Sequence, residues 1–364
     1  MAELPIIIAG GGIAGLAAAC ALAKTGAGII VCERAAKFET AGAGLQAGPN
    51  AVRALKAIGA WDAFEPSTYA PPAIVMRDGV SGQTLKRINL GKGFEATFGE
   101  PYRVAHRAHL HAALGQVARS HGNVACELGS EVLGYAHEDG AVVIQSAGGQ
   151  RKARFLIGAD GLHSKVRCAM LKDGPPVHHG GTLHRALVPM PDRDSLDCVT
   201  LWLCPGSHAV HYPVDGGKLL NIVASTAAGG LPQAFAGCCE ELQAMLASPG
   251  SWGEWSADSR EPASRWHDGR ALLIGDAAHP ALPYLAQGAA IALEDAAALP
   301  TGPEGFRQFE SRRMARTARI TRQAAAMAGV YHQRGLQRAA RNLALRAMPE
   351  QWFLARLGWI YRGG

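Results

Sequence analysis

The chain has 364 residues, of which 48% are hydrophobic and 18% charged, a composition typical of a globular protein and not of a disordered one. Its formal net charge is +6, but no stripe of basic residues alternates with aromatic ones, so we expect no nucleic-acid partner. No apolar run reaches the ~18 residues that a membrane-spanning helix requires, and we therefore expect no membrane contact.

The eight cysteines form no C-x-x-C pair and show no metal-ligand spacing, and several lie in apolar runs. The apolar N-terminal stretch has no basic segment before it, and glycines and Lys24 interrupt it, which disfavours a signal peptide. We therefore predict reduced thiols, no metal site and a cytoplasmic protein.

The clearest pattern begins with an apolar run at positions 4–9, which predicts a β-strand. The run ends at a G-x-G-x-x-G motif, a helical pattern follows at 16–24, and a second apolar run at 28–32 leads to Glu33 and Arg34. Strand, glycine turn, helix, strand and acid together predict a βαβ unit that binds a dinucleotide. The alternative is a glycine-rich apolar segment that only packs.

Each position of this motif has a physical reason. Gly10 permits the tight turn, Gly12 lets a pyrophosphate approach the backbone, and Gly15 lets the helix pack close to the strand. The start of the helix offers unpaired N–H groups and a positive dipole end to the phosphates. Glu33 follows Gly15 by 18 residues, where its carboxylate can accept both ribose hydroxyls of an adenosine.

The rest of the chain alternates between segments that resemble the nucleotide-binding unit and segments that consist mainly of predicted β-strands. A glycine-rich loop is predicted at 41–50 and a helix at 51–58. Strands are predicted in a hairpin at 73–90 and then at 124–127, 131–137, 141–146, 155–158, 182–188, 198–204, 209–214, 219–225 and 271–274. Further helices are predicted at 162–170, 233–246, 288–299 and, as one long tail, 306–346. Two interleaved domains explain this alternation most simply.

Three motifs, in this order and spacing, resemble the single-component FAD-dependent aromatic hydroxylases. They are the G-x-G-x-x-G turn with Glu33-Arg34, then Gly158-Ala159-Asp160-Gly161 with Ser164 and Arg167, then Gly275-Asp276-Ala277-Ala278-His279-Pro280. Further stretches are similar to the branch of salicylate hydroxylase, 3-hydroxybenzoate 6-hydroxylase and 6-hydroxynicotinate monooxygenase, namely Gly42-Ala43-Gly44, Pro49-Asn50-Ala51-Val52-Arg53, His106-Arg107, His211-Tyr212-Pro213-Val214 and residues 283–289.

The resemblance implies an α/β fold with α+β inserts, like that of p-hydroxybenzoate hydroxylase. A Rossmann-like FAD-binding domain (1–72, 98–174 and 268–300) would be interleaved with a β-sheet substrate domain (73–97 and 175–267). Helices would form the C-terminal region, 301–364. We expect a monomer or a homodimer.

The resemblance also implies FAD as the cofactor and NAD(P)H as a transient co-substrate, which meets the flavin without a second dinucleotide motif. Arg107 would reach the FAD phosphates, Asp276 the ribityl hydroxyls, and the helix from Gly288 the flavin ring. Asp160 would serve both FAD and NAD(P)H binding, or would only form a turn. The implied FAD-binding residues are Gly10, Gly12, Ile13, Ala14, Gly15, Glu33, Arg34, Gly44, Leu45, Arg107, Val132, Asp160, Gly275, Asp276, Gln287, Gly288 and Ala289.

The implied reaction is hydroxylation of a small phenolic or hydroxy-carboxylate ring with NAD(P)H and O2 through a flavin hydroperoxide. A flavin-dependent oxidase or reductase on the same fold is the main alternative, and a flavin-binding redox sensor is a further one. The branch that acts on urate is disfavoured, because Tyr284 stands where an aspartate would be expected.

The substrate residues are predicted from a strand at 208–212. Alternation along a strand places His208 and Tyr212 on one face and His211 on the other. A histidine and a tyrosine on one face can take a phenolic proton or hold the phenolate oxygen. His211 is the alternative if a β-bulge shifts the register. The resemblance adds Pro283, Tyr284 and Gln46 to this site and leaves His279 a structural role.

Overall fold

The computed structural model describes residues 3–38, 43–192, 196–226 and 230–363, so that Gly42 of the motifs above lies outside the described residues. The strands are β1 (Ile6–Ala9), β2 (Ile29–Glu33), β3 (Gly44–Ala47), β4 (Ala73–Asp78), β5 (Thr84–Asn89), β6 (Arg103–His106), β7 (Val124–Leu128), β8 (Val132–Glu138), β9 (Ala141–Ser146), β10 (Gly149–Ala153), β11 (Phe155–Gly158), β12 (Val177–Pro189), β13 (Val199–Cys204), β14 (Ser207–Val214), β15 (Leu219–Thr226), β16 (Gly253–Ser259), β17 (His267–Asp268) and β18 (Ala271–Leu273).

Helices cover faces of both large sheets and form the C-terminal region. They are α1 (Ile13–Ala23), α2 (Pro49–Ile58), α3 (Trp61–Phe64), α4 (Lys92–Phe98), α5 (Arg107–Ser120), α6 (Lys165–Leu171), α7 (Leu231–Phe235), α8 (Glu240–Ala247), α9 (Gly288–Ala297), α10 (Phe306–Tyr331), α11 (Gly335–Ala347) and α12 (Glu350–Tyr361). Within the described ranges, none of them combines the length and the apolarity that crossing a bilayer requires.

The first sheet has six strands in the order β17-β18-β11-β1-β2-β7, and all its pairings except β17–β18 are parallel. Its central strands are continuous apolar runs because both faces are covered, as parallel sheets require. All four residues of β1 are buried. Helix α1 packs against α5 and α9 over this sheet, so that the turns at the ends of β1, β11 and β18 lie side by side.

The second sheet has seven strands in the order β16-β12-β15-β14-β13-β4-β5, and the β13–β4 pair alone is parallel. One face buries Trp202 and Ile222 in a cluster that also contains Phe235 of α7 and Leu242 of α8. The opposite face carries Tyr212 toward β3, whose partner is β6. The sheet thus has a packed side and a side turned toward the first lobe, by which we mean the six-stranded sheet, its covering helices and the β3–β6 pair.

The predicted helical tail at 306–346 contains two helices, α10 and α11, and α12 follows beyond it. Helix α10 ends at Tyr331, and Arg334 has an extended backbone (φ −121°, ψ 164°) before α11 begins. A second break precedes α12, where Pro349 is the N-cap residue. The first break places His332 against the second sheet.

Other predicted elements also differ. The helix at 233–246 is two helices, because Gly237 weakens it and the Cys239 N–H donates to Gly79 O at 2.8 Å. The predicted loop at 41–50 contains β3, which pairs with a segment some sixty positions away. Strands β10 and β16 were not predicted, since their exposed polar residues hide the alternation.

Candidate active site

The glycine turn after β1 is shaped by its neighbours. Gly10 has φ +99°, and a Cβ there would lie 2.5 Å from Ala159 O. A Cβ on Gly15 would lie 1.9 Å from Gly10 O, whereas one on Gly12 would meet nothing within 4 Å. No side chain caps α1, so that its first amides, which belong to residues such as Ile13 and Ala14, have no side-chain acceptor. The turn can therefore receive an anion.

Glu33 is held beside this turn by backbone donors. Its carboxylate accepts the Gly11 N–H at 2.7 Å and the Ala35 N–H at 2.9 Å. A cavity of about 210 Å³ opens next to it. The predicted cofactor residues that line this cavity are Gly10, Gly12, Glu33, Arg34, Val132 and Asp160. The structure thus brings together residues from the ends of three parallel strands and from β8.

Asp160 lies in the same cavity, but its oxygens are already engaged. One accepts the Ser164 hydroxyl at 2.5 Å, and the other accepts the N–H groups of Lys165 at 2.7 Å and Val166 at 3.1 Å. Burial raises the pKa of this carboxyl, while these hydrogen bonds act against the shift. The carboxylate therefore caps α6 while it also lines the cavity.

The turn after β18 brings Asp276 toward Arg107. Gly275 has φ +57°, and a Cβ there would lie 2.8 Å from Ala14 Cβ, so that the turn touches α1. The Asp276 side chain is exposed at the surface, yet desolvation by the surrounding protein raises its pKa, and the electrostatic interactions with His279 and Arg107 partly oppose this shift. The Arg107 guanidinium and the Asp276 carboxylate are thus close enough to interact electrostatically.

A buried ion network supports this turn from behind. Asp295 accepts the Gly275 N–H at 2.9 Å, His279 Nε2 at 2.5 Å and Arg313 Nε at 2.7 Å. His279 and Arg313, both buried, lower the pKa of Asp295 to about 2 against the effect of burial. This geometry agrees with a structural role for His279.

The start of α9 has no acidic residue in its first turn and no side-chain cap. A Cβ on Gly288 would meet nothing within 4 Å, and Ala289 beside it is half-buried. The Gln287 side-chain carbonyl accepts the Asn50 amide at 2.9 Å, which fixes the helix end against α2. The positive end of the α9 dipole is therefore open.

Strand β14 pairs regularly with both of its neighbours, so that its side chains alternate without a bulge. His208 and Tyr212 lie on the face turned toward the first lobe, as alternation predicts. His211 lies on the opposite face, where its Nδ1 accepts the Trp202 indole N–H at 3.1 Å. The structure does not bring His211 to the site, because no bulge shifts the register.

Tyr212 closes one end of this face against β3. A Cβ on Gly44 would lie 2.7 Å from the Tyr212 hydroxyl, so that only glycine fits there. The Gln46 side chain acts to lower the pKa of the neighbouring Tyr212 phenol, and its carbonyl accepts the Tyr102 hydroxyl at 2.5 Å. Burial raises the pKa of Tyr212 and keeps it a neutral phenol. Leu45, between these residues, is buried in the core of the first lobe.

His208 occupies the other end of the face, beside the turn Pro283–Leu285. Its ring centroid lies 5.2 Å from that of Tyr284 and 5.5 Å from that of Tyr331. Burial first, and then the neighbouring His332, lower the pKa of His208 to about 3, so that the imidazole is neutral. Pro283 and Tyr284 line a cavity of about 140 Å³ between this turn and the sheet.

Comparison with known proteins identifies the family. A family model described as FAD binding domain matches residues 3–175 and 243–302. The 3-hydroxybenzoate 6-hydroxylase of Polaromonas naphthalenivorans (strain CJ2) is 34% identical, with 99% of this chain and 96% of the relative covered. The chain belongs to the FAD-dependent aromatic hydroxylases. The 6-hydroxynicotinate 3-monooxygenase of Bordetella bronchiseptica is 32% identical and covers 87% of this hydroxylase and 89% of its own length.

Solved structures give the same fold. Klebsiella pneumoniae HpxO complexed with FAD and uric acid superposes with a TM-score of 0.87 at 23% identity, covering 98% of this chain and 97% of its own. A salicylate hydroxylase substrate complex superposes with a TM-score of 0.82 at 23% identity, covering 100% and 96%. The predicted family, fold class, FAD cofactor and reaction type are confirmed, and aromatic hydroxylation is supported over the oxidase and reductase alternatives.

The residues of this hydroxylase fit FAD on structural grounds. Gly12 leaves room beside the open start of α1, and Gly288 leaves room beside the open start of α9. The first helix end suits a pyrophosphate, and the second suits a negatively charged ring edge. The Asp276 carboxylate can accept hydrogen bonds from a polyhydroxylated chain, and the Arg107 guanidinium can donate hydrogen bonds to it.

Two residues on the same side of the second sheet were not predicted. Arg185 lies on β12, where it pairs with Val223 and so shares a face with Val210, His208 and Tyr212. Its guanidinium lies over the Trp255 ring, 5.0 Å from the ring centroid, and has no acidic partner among the described residues. The sequence predicted the strand that contains Arg185. It did not show which face of the sheet Arg185 shares, because that depends on the pairing of β12 and β14 with β15. His332 was hidden inside the predicted tail.

Proposed function

We propose that this hydroxylase acts on a hydroxybenzoate, a small ring that carries both a carboxylate and a hydroxyl group. The observation that carries the proposal is Arg185, a half-buried guanidinium without an acidic partner in the described chain, on the sheet face that holds His208 and Tyr212. A guanidinium fork suits a carboxylate. The relatives named for 3-hydroxybenzoate, which match nearly the full chain, support the same substrate class.

The residues proposed to hold FAD follow one path across the first lobe. The pyrophosphate would lie on the α1 start, with Glu33 and Arg34 at the adenosine, while Arg107 and Asp276 would hold the chain that leads to the ring. The remaining proposed contacts are Gly10, Gly12, Ile13, Ala14, Gly15, Gly44, Leu45, Val132, Asp160, Gly275, Gln287, Gly288 and Ala289. FAD, when bound, supplies the oxidation–reduction chemistry with NAD(P)H and O2.

The side chains of the second sheet would position and activate the substrate. Arg185 would bind its carboxylate, and the neutral His208 would take the proton of its hydroxyl group, which makes the ring electron-rich. Tyr212, which burial keeps a neutral phenol, would donate to a substrate oxygen. Pro283 and Tyr284 would cover the ring and exclude water.

The test is a substrate panel on the FAD-loaded enzyme. We expect one or more of salicylate, 3-hydroxybenzoate and 4-hydroxybenzoate to stimulate NADH or NADPH oxidation more than 6-hydroxynicotinate does, with O2 uptake and a product that contains one oxygen atom from O2. Phenol and benzoate serve as matched controls, since each lacks one of the two recognised groups. Stimulation by phenol equal to that by every hydroxybenzoate would contradict a role for the carboxylate.

We further propose the domain division given by the motifs, with FAD-binding segments 1–72, 98–174 and 268–300, substrate segments 73–97 and 175–267, and a helical region 301–364. Membership of the two large sheets supports it. A cytoplasmic location is supported by the cysteines, all eight of which are free thiols. A monomer or homodimer remains our expectation for the assembly.

A further inference from the structure

His208 and His332 are in direct contact although 124 residues separate them. His208 Nδ1 lies 2.9 Å from His332 Nε2, and the ring centroids are 5.2 Å apart. Two ring nitrogens at this distance share one proton, so that one ring donates while the other accepts. The contact exists because the helical region breaks between α10 and α11 at His332.

The two outer nitrogens of the pair remain available. His208 Nε2 makes no hydrogen bond to a described residue, and it is not among the fully enclosed polar atoms without a partner. The same holds for His332 Nδ1. His332 is half-buried and lines the cavity of about 140 Å³, whereas His208 is buried. The pair therefore runs from a buried position to a wetter one.

The surroundings disfavour a lasting charge on His208. Tyr284 and Tyr331 pack against its ring, and neither imidazole forms an ion pair with a carboxylate among the described residues. Desolvation lowers the pKa of both histidines, and the nearby Arg334 lowers that of His332 further. A proton that reaches His208 thus has to move on.

We propose that His332 receives, through His208, the proton that a phenolic substrate gives up, and releases it to solvent. The substrate O–H bond breaks as His208 Nε2 gains the proton, His208 Nδ1 passes its own proton to His332 Nε2, and His332 Nδ1–H goes to water. No electron leaves or enters the pair. The proposal rests on the proposed function, because it needs a substrate with an acidic hydroxyl group.

A purely structural role makes a different prediction. If His332 only holds the His208 ring in place, a side chain that keeps the hydrogen bond should replace it. His332→Gln retains an amide oxygen that can accept from His208 Nδ1, yet it cannot carry a proton onward. If the relay operates, the His332→Gln variant should deprotonate the substrate slowly. If the contact is only structural, the variant should deprotonate it at nearly the rate of the parent.

The first experiment uses the FAD-loaded protein with ¹⁵N-labelled histidine and no substrate. We expect NMR to show one proton coupled between His208 and His332, with both rings neutral at neutral pH, and to show its loss in His332→Gln. Two independent histidine signals, with no coupling between the rings, would overturn the inference whatever the enzyme does.

The second experiment follows the absorbance of 3-hydroxybenzoate as it binds to the FAD-loaded enzyme and loses its phenolic proton, in H2O and in D2O. We expect His332→Gln to slow this step by about tenfold or more and to raise its solvent isotope effect, with imidazole restoring part of the rate in His332→Ala. His178→Gln, an exposed histidine at the edge of the same sheet, serves as the matched control.

A serial relay also predicts that His332→Gln adds little to His208→Gln. Hydroxylation by the parent together with unchanged deprotonation in His332→Gln would contradict the relay alone. Absence of stimulation by every hydroxylated ring would contradict the proposed function and the relay with it. Equal slowing in the His178→Gln control would also overturn the assignment.

Discussion

The Asn221 side-chain carbonyl accepts the backbone N–H of Gly44 at 2.7 Å. Asn221 belongs to β15 of the seven-stranded sheet, and Gly44 begins β3 in the first lobe, so that one bond joins the two halves of the site. Asn221 is fully buried, and Tyr212 packs against the same glycine. The position of the substrate face relative to the cofactor lobe therefore depends on a short, enclosed polar contact.

Asn221→Ala should lower stability and disturb the site together. The Gly44 N–H would lose its acceptor in a largely dry place, and we expect the free energy of unfolding to fall by about 1–3 kcal/mol. Urea unfolding measures this, and the Michaelis constant of the best substrate should rise as Tyr212 loosens. Asn89→Ala, at an exposed position of β5, is the control. Equal stability of the two variants would show that the bond contributes nothing.

Alanine substitutions at Gly12 and Gly15 should have different effects, the first on FAD binding and the second on the stability of the fold. A Cβ on Gly12 meets nothing in the protein, so Gly12→Ala should fold with the melting temperature of the parent apoprotein while binding FAD about tenfold or more weakly. A Cβ on Gly15 would overlap Gly10 O, so Gly15→Ala should lose stability even without FAD. Thermal melting and FAD titration separate the effects. Full FAD affinity in Gly12→Ala would place the pyrophosphate elsewhere.

The sequence predicted the parts of this site whose reasons are local. Gly10, Gly12 and Gly15 follow from the backbone needs of one turn, and the alternation of β14 separates His208 from His211 without knowledge of any other strand. The strands around them were also predicted to within a few residues, because each is an apolar or alternating run bounded by turn residues.

The missed parts depend on contacts between distant segments. Arg185 shares a face with Tyr212 only through the pairing of β12 and β14 with β15, which no local pattern specifies. His332 reaches His208 because α10 stops at Tyr331, while the residues on both sides favour helix. The cap that Asp160 forms on α6 was likewise not visible, because it depends on the exact fold of the next turn.

Arg185→Gln should weaken binding of substrates that carry a carboxylate. Loss of a charge-assisted hydrogen bond costs about 1.5–3 kcal/mol, so we expect the Michaelis constant for the best hydroxybenzoate to rise about tenfold to a hundredfold. The Michaelis constant for the corresponding phenol should change little. Arg185→Lys should recover part of the loss, since it keeps the charge but not the planar fork.

Arg151→Gln is the matched control, because Arg151 forms an exposed ion pair with Glu127 outside the substrate face. Such pairs contribute little, and neither stability nor the Michaelis constant should change. If Arg185→Gln raises the Michaelis constant for the phenol as much as that for the hydroxybenzoate, then Arg185 recognises something other than the carboxylate.

His211→Gln should separate the two faces of β14. His211 is buried against Trp202, and desolvation first, then the charge of Arg77, lower its pKa to about 3. The unfolded chain binds a proton here below pH about 6.5, whereas the folded chain does not until about 3. This contribution to stability is therefore complete above pH about 6.5 and falls as the pH decreases toward about 3.

The measurement is urea unfolding of parent and His211→Gln at about pH 7.5 and about pH 5.5. Between these values one such histidine accounts for a loss of about 1.4 kcal/mol, and the variant should lack that part of the loss. Its glutamine oxygen can still accept the Trp202 indole N–H, so the fold is kept. Hydroxylation should stay within about twofold of the parent, because this side chain points away from the site. A large fall in hydroxylation with an unchanged pH dependence of stability would show that His211 acts in the site and not on the opposite face of β14.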